Sequence, residues 1–594
     1  MKTAMRRVLV LAGTAMASLP VWADVPPALD RVPSEALVVA AIRDLDSFDG
    51  RVGKLMKDLG IPTDEGEAAM AFKLMKTPGM NRKGSLAMAL MPEAKKEPKP
   101  DAKPGDVDME AMGAPPPMVL IVPVSDQGAF VKALGGEAGK GVVELKGPQG
   151  EGNAFDEPMF AKDIGGGYMA MSPVKAVAES FAGAAGQSGA HKKTLGTVGM
   201  RIVDTADTVV ILNLPALSEK GKEGFTAAKQ QAQMMAAMSG QKGMDKVIEF
   251  SEQAFNAFMR DAQVGVVGFG LDDDGVWLDL GAQFKEGSES GKLCQTKGKV
   301  SAISSKLPDQ PFFVLFSADT SGAGVKQIVG ELAKLSDGQT PGVLDSFTKG
   351  IDKLDGVGVS IGQTAGMMMG GLLANGVSYA QTSDPAGYAK LMRDSITGMN
   401  GKTEQGMTFK STYEPASVDI AGTKVDKYAA QITIDPNAEG AMQAQQGVMM
   451  MYGPAGGPAG YVATLENSVV MTMAQNTPLM TMALESAKGK KGLGENAEFK
   501  AAGSKLQGDR AFEGYLNVKP LMDMAAMFMG GGGNAPASLP PVAMGVSNSE
   551  GGAHARLHVP KQVIMAVKDM IGAAGGDGGE EEAAPAEKGK APKF

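Results

Sequence analysis

The sequence predicts an α+β fold made of two duplicated lobes, each built from strand-helix-strand-strand-helix units with mainly antiparallel sheets and intervening β-hairpins. Three observations lead there: a start motif that occurs twice, alternating apolar segments bounded by turn residues, and apolar residues at helical spacing between them.

The start motif is Val32-Pro33, the apolar run Ala36 to Ile42 and then Asp44, matched by Leu307-Pro308, Phe312 to Phe316 and Asp319 at an offset of 275. Downstream, Phe160-Ala161 and Met169-Ala170-Met171 match Val462-Ala463 and Met471-Thr472-Met473 at 302, and Leu212-Asn213-Leu214 with Leu217 matches Leu516-Asn517-Val518 with Leu521 at 304. The order is the same in both copies. The growth in offset implies about 27 extra residues in the second copy, expected as a loop over Asn437 to Gly460. The lobes are therefore expected at 24–300 and 301–574.

Within the lobes, Ala36 to Ile42 reads as a strand, and Asp44 as the N-cap of a helix carrying Leu45, Phe48, Val52, Leu55, Met56 and Leu59, ended by Gly60. Asp319 is expected to cap the corresponding helix. A second unit starts at Thr208 and runs into long helical stretches with Met244, Val247, Ile248, Phe255, Phe258 and Met259 on one face. Its hairpin joins Val264–Leu271 to Val276–Phe284 through Asp272-Asp273-Asp274-Gly275, with Val276, Leu278, Leu280, Ala282 and Phe284 expected inside and Trp277, Asp279 and Gln283 outside. Further hairpins are expected at 85–91 with 118–124, 357–363 with 376–382, and 542–548 with 553–559. Leu212 and Leu516 are expected to point inward.

Lys2, Arg6 and Arg7, the apolar stretch Val8 to Leu19 and the small residues around Val21-Trp22-Ala23 have the layout of a cleavable secretory signal over 1–23, leaving Asp24 first. No segment has the roughly 20 apolar residues that a membrane-spanning helix needs. Of 594 residues, 43% are hydrophobic but only 5% aromatic, with 80 glycines and 42 methionines, so cores of small and flexible side chains are expected. The formal charge of -9 argues against nucleic acid and anionic membrane surfaces as partners. Cys294 is the single cysteine and closes no disulfide within the chain. The compositions of 92–117, 530–541 and 575–594, rich in Gly, Pro or charge, are those of flexible loops and a disordered tail.

The search for chemistry yields no catalytic, cofactor-binding or metal-binding residue. The three histidines are His191, His554 and His558. His191 lies in a polar segment and is expected to be solvated. His554 and His558 alternate with Ala553, Ala555 and Leu557 as on a strand, where rings four residues apart stand about 13 Å apart and share no ion, so an exposed strand face is expected. GxSxG and HExxH are absent; Ser-x-x-Lys at Ser172, Ser239 and Ser346 has no accompanying Lys-Thr-Gly or Ser-Asp-Asn. Asp272 to Gly275 lacks the spacing of a calcium loop, and Gly356 to Gly362 lacks dinucleotide spacing and reads as a strand. Methionine clusters at Met234, Met235 and Met238, at 367–369, at 449–451 and from Met522 to Met529 offer soft ligands for Cu(I), against the expectation that they fill cores.

The paired Leu/Val-Pro starts with Asp44 and Asp319 resemble exported bacterial proteins of unknown function with tandem strand-helix-strand-strand-helix units. That resemblance implies the architecture and export to the periplasm or beyond, and transfers no site. The expectation is an exported, non-catalytic envelope protein with a structural or partner-binding role, its partner an envelope or extracellular component. The alternatives are a carboxylate-dependent hydrolase with its acids in an interlobe cleft and a methionine-rich copper-binding protein.

Overall fold

The computed structural model describes residues 25–575 except 61–74, 93–116, 138, 140, 148–157, 184, 240–243, 328–329, 331–349, 364–370, 405, 439, 529–535 and 537. The expected signal at 1–23 and almost all of 92–117 and 575–594 lie outside the described residues. The chain divides into two units, one of Met1–Asp272, Trp277–Lys297 and Val546–Arg556, the other of Asp273–Val276, Gly298–Gly545 and Leu557–Phe594. The boundary expected after residue 300 thus falls after Lys297, and the tip of the last hairpin belongs to the first unit rather than the second.

In the first unit the order is β1 (Val38–Ile42), α1 (Leu45–Asp58), β2 (Leu86–Leu90), β3 (Met118–Pro123), α2 (Gln127–Ala133), β4 (Val142–Leu145), β5 (Met159–Gly165), β6 (Tyr168–Ser172), α3 (Lys175–Ser180), α4 (Ser188–Thr205), β7 (Thr208–Leu212), α5 (Leu214–Ser239), α6 (Met244–Asp261), β8 (Ala262–Leu271), β9 (Gly275–Phe284) and α7 (Glu289–Leu293). Asp44 caps α1 as expected, accepting from the Ser47 amide at 2.7 Å, which satisfies a donor that the first helical turn leaves unpaired. The strands pair antiparallel in the order β4-β5-β6-β3-β2-β1-β7-β8. On one face, Leu195, Val198 and Ile202 of α4 pack on Val39, Ala87, Val209 and Val266. On the other, Leu45 and Phe130 from α1 and α2 cover the corner at Val122 and Leu86, and Met259 and Phe255 of α6 lie at Leu212.

In the middle of β9 the burial is the reverse of the expected one, while Ala282 and Phe284 at its end are buried as expected. Asp279 is fully buried while Leu278 and Leu280 are 38% and 50% exposed. The cause lies on β8, where Gly268 and Gly270 have no side chains: a Cβ on Gly268 would stand 3.3 Å from that of Asp279, and one on Gly270 would strike the Trp277 ring. Glycine there makes room for the polar and aromatic side chains on the α4 side, and strand alternation turns the leucines outward.

In the second unit the order is α8 (Val300–Ser304), β10 (Phe312–Asp319), β11 (Leu354–Gly362), β12 (Gly376–Thr382), α9 (Pro385–Gly398), β13 (Thr403–Glu404), β14 (Met407–Ile420), β15 (Thr423–Ile434), α10 (Ala441–Tyr452), β16 (Ala459–Thr464), β17 (Ser468–Thr472), α11 (Thr477–Ala487), α12 (Ala497–Lys505), β18 (Arg510–Leu516), α13 (Lys519–Phe528), β19 (Val542–Ser549), β20 (Gly552–Pro560) and α14 (Lys561–Gly575). Its strands pair antiparallel in the order β13-β14-β15-β16-β17-β12-β11-β10-β18. Leu479, Leu484 and Phe499 of α11 and α12 pack on Leu315, Val377 and Tyr515. Tyr388 and Met392 of α9 pack on Ala380, Val462 and Met471 from the opposite face.

Register compares the units more finely than sequence does. One row of facing residues runs Met171, Leu120, Met88, Ala40, Val210 in the first unit; another runs Met471, Ser378, Val359, Phe316, Gly514 in the second. Val210 to Gly514 keeps the offset of 304, but Ala40 then falls on Phe316, an offset of 276 where the sequence suggested 275. Slipping a strand by one residue turns every side chain to the other face, so the sequence match cannot be the structural one. On this row alignment Asp44 falls on Thr320, and the Asp319 carboxylate, just ahead of the helical residues 323–327, accepts from the amides of Lys299 at 2.7 Å and Ser321 at 3.0 Å. Met171 likewise stands on Met471, an offset of 300 where 302 was expected.

Other expectations change as well. The stretch Asn437 to Gly460 contains the twelve-residue helix α10 instead of an extended loop, and the long β14–β15 hairpin precedes it between β12 and β16. Leu539, within the presumed flexible 530–541, is buried against Met522 and Val563. Leu212 and Leu516 are only half-buried. The methionines are not all core residues, since Met234, Met235, Met442, Met449 and Met450 are exposed.

The reversed face gives a contrast that urea denaturation can measure. Ile202→Ala should cost about 2–5 kcal/mol, as for other buried large-to-small changes, while Leu280→Ala should stay within about 0.5 kcal/mol. Equal losses would contradict the assignment of the two faces.

Candidate functional site

The most concentrated polar chemistry in the first unit surrounds Asp279 on β9. The tip of the last hairpin, 546–556, brings His554 and Arg556 to it. His554 Nε2 lies 2.9 Å from Asp279 Oδ1, Arg556 Nε donates to the same oxygen at 2.6 Å, and Arg556 Nη2 donates to Oδ2 at 2.6 Å. Nη2 also reaches Thr205 Oγ1 at 3.2 Å, at the end of α4, and the guanidinium stands 5.4 Å from the centre of the Trp277 ring. Neither the aspartate nor the histidine is open to solvent. Burial alone would raise the Asp279 carboxyl, but the hydrogen bonds from Arg556 and His554 outweigh it and hold the group below its ordinary value. The hairpin tip is further fixed by the Phe284 amide donating to Gly551 O at 3.1 Å and Gln283 Nε2 donating to Glu550 O at 3.1 Å.

This arrangement suits anchoring better than turnover. Both Asp279 oxygens accept from charged or ring donors, and a bidentate guanidinium fixes the carboxylate in its plane. Bringing the expected wet face of β9 indoors also overturns the reading of His554 and His558 as an exposed strand face: both are buried. His191 is buried too, not solvated; its Nε2 lies 2.8 Å from Val32 O and ties α4 to the start of the first lobe. Sequence periodicity could not reveal the Asp279 group, because its members lie 275 and 277 residues apart. The available signal was the pair of glycines opposite Asp279.

Other carboxylates join loops to strands. Asp207 accepts from the Leu271 amide at 2.9 Å and pairs with Arg51; burial, the largest influence, nevertheless raises its carboxyl. Asp261 binds Arg260 through both oxygens and accepts from the Ser290 amide at 3.0 Å, with the arginine contact chiefly responsible for holding its carboxyl far below normal. In the second unit, fully buried Glu513 pairs with Arg510 at 2.7 Å and accepts from Ser304.

Among the described residues, the remaining sequence candidates supply no reacting pair. Ser172 is buried and accepts from the Val174 amide at 3.2 Å; Ser346 and the methionines at 367–369 lie outside the described residues. Cys294 is pushed up to about 11 by burial, away from the thiolate form needed of a nucleophile. Gly356–Gly362 lies in β11, as expected, and Asp272 to Gly275 forms the β8–β9 turn. Among the described residues, no group of three or more His, Cys, Asp or Glu side chains could hold a metal ion. No described helix is long and apolar enough to cross a membrane.

No protein-family model and no curated protein sequence matches the chain. Among solved structures, crystal form I of TP0453 aligns over 47% of this chain and 99% of its own, at 9% identity and a TM-score of 0.21. A likeness that slight carries no inference about site or activity.

Replacing Asp279 by Asn should cost about 3–5 kcal/mol at pH 7, because it leaves Arg556 buried without its counter-charge. The group's folded pKa is depressed, so its stabilisation is present above the unfolded carboxylate value of about 3.9 and fades as pH falls through the folded one. The penalty in urea should therefore shrink as pH falls below the unfolded carboxylate value. Asp207, whose carboxyl is raised, contributes with the opposite sign: its stabilisation is present at low pH and lost as it ionises. An Asp279→Asn penalty that does not vary with pH would contradict the ion-paired state.

Proposed function

We propose that this is an exported, non-catalytic envelope protein, built by duplication of one lobe, that holds a partner on the surfaces of its repeats. The observation that carries the reading is the saturation of the Asp279 group: its carboxylate, His554 and Arg556 are spent on one another and on fixing the hairpin tip. Large apolar side chains, meanwhile, stand in solvent on sheet and helix surfaces, including Leu280, Phe269, Met442 and Met450. Contiguous exposed apolar surface is a common mark of an interaction site. The shared strand order of the two units supports duplication, which would present such a surface twice.

Cell fractionation with N-terminal sequencing and in-cell photo-crosslinking tests the proposal. Mature protein beginning at or near Asp24, crosslinked to a discrete envelope component, is the expected result. Recovery of cytoplasmic protein that retains Met1, or hydrolytic turnover abolished by Asp207→Asn, would overturn it. A copper-binding role draws support from the exposed thioethers of Met442, Met449 and Met450 on α10. Competition with a Cu(I) chelator, read against Met449→Leu and Met450→Leu, decides that reading.

A further inference from the structure

Methionine is a core residue in most folded chains, yet in this one it dominates the apolar side chains left in water. Of the seventeen large hydrophobic side chains that stand exposed among the described residues, nine are methionines and four are leucines. The five most exposed methionines fall on two helices, one in each unit: Met234 and Met235 on α5, at 66% and 64%, and Met442, Met449 and Met450 on α10, at 73%, 49% and 58%. Gln230 to Met235 and the whole of α10 carry no charge, and the polar neighbours of these methionines are chiefly glutamines. No residue of α10 is buried, so its thioethers fill no core, in contrast to Met169, Met171 and Met480. Leucine forms helices about as readily as methionine, so helix formation does not account for the choice. The competing thiol is Cys294, which burial pushes up to about 11 and so keeps out of the reactive thiolate form.

We propose that the exposed methionines of α5 and α10 are modification sites for two-electron oxidants of the hypochlorous acid class, and that the protein absorbs such oxidants as methionine sulfoxide without losing its fold. The sulfur lone pair takes the chlorine from hypochlorous acid and releases hydroxide; water then displaces chloride and supplies the oxygen. In sum, one thioether and one hypochlorous acid give one sulfoxide, one chloride and one proton, sulfur having lost the two electrons that chlorine gains. The reaction turns a flexible apolar side chain into a polar one. At a core position that change breaks packing, whereas on α10 it places a polar group where water already stands. The inference goes beyond the partner-binding reading and does not rest on it.

Titration of the purified protein with hypochlorous acid, followed by peptide mass spectrometry, tests the proposal. Sulfoxide is expected at Met234, Met235, Met442, Met449 and Met450 at least about tenfold faster than at Met169, Met171 and Met480, with circular dichroism and the urea midpoint unchanged once those five have reacted. A variant with all five replaced by leucine should fold and lose about one equivalent of oxidant capacity per residue, read as protection of a reporter enzyme that hypochlorous acid inactivates. Should that variant fail to fold, the triple replacement Met442→Leu, Met449→Leu and Met450→Leu, on a helix without buried residues, carries the same comparison. Sulfoxide spread evenly over exposed and buried methionines, unfolding with the first equivalents, or undiminished protection by a folded leucine variant would overturn it.

Discussion

A carboxylate fully removed from water is a large liability unless it is paired and hydrogen-bonded, and the arrangement around Asp279 follows from meeting that requirement. Arg556 supplies a bidentate partner and His554 a third donor, both from a hairpin tip encoded near the C-terminus. Glycines 268 and 270 give the aspartate and Trp277 their space. Once Asp279 points inward, the period of two along the strand turns Leu278 and Leu280 into solvent. One ion pair thus holds the hairpin tip in the first unit and sets the middle of β9 with Asp279 inside and Leu278 and Leu280 outside.

The same economy recurs on a smaller scale. With one cysteine, this chain cannot tie its loops by internal disulfides, and buried or half-buried carboxylates take over part of that work. Asp30 receives the amides of Gly186 and Ser188, both at 3.1 Å, while Asp261 and Glu513 tie neighbouring arginines to more distant serines. Such contacts are specific because a misplaced strand would leave the charge without donors. They also occupy the groups that a search for acid-base chemistry would single out.

The two sheets meet the problem of covering their faces in the same way. Each has helices packed over most of one face and a second set over part of the other. Exposed apolar residues fall in the matching rows, Met88 in the first unit and Phe316 in the second. A sheet face left open in this manner keeps apolar side chains in solvent, whereas the polar clusters lie within the units as supports.

The sequence by itself determined the α+β class, the Asp44 cap and the hairpins, because these depend on local periodicity, turn residues and capping within a few positions. Only the tertiary structure decided the one-residue shift that separates Asp319 from Asp44, the burial of all three histidines, the inversion of β9 and the membership of 546–556 in the first unit. Alternation says that two faces differ without saying which is inside, and a buried charge can reverse the answer when a partner from more than 270 residues away completes its shell.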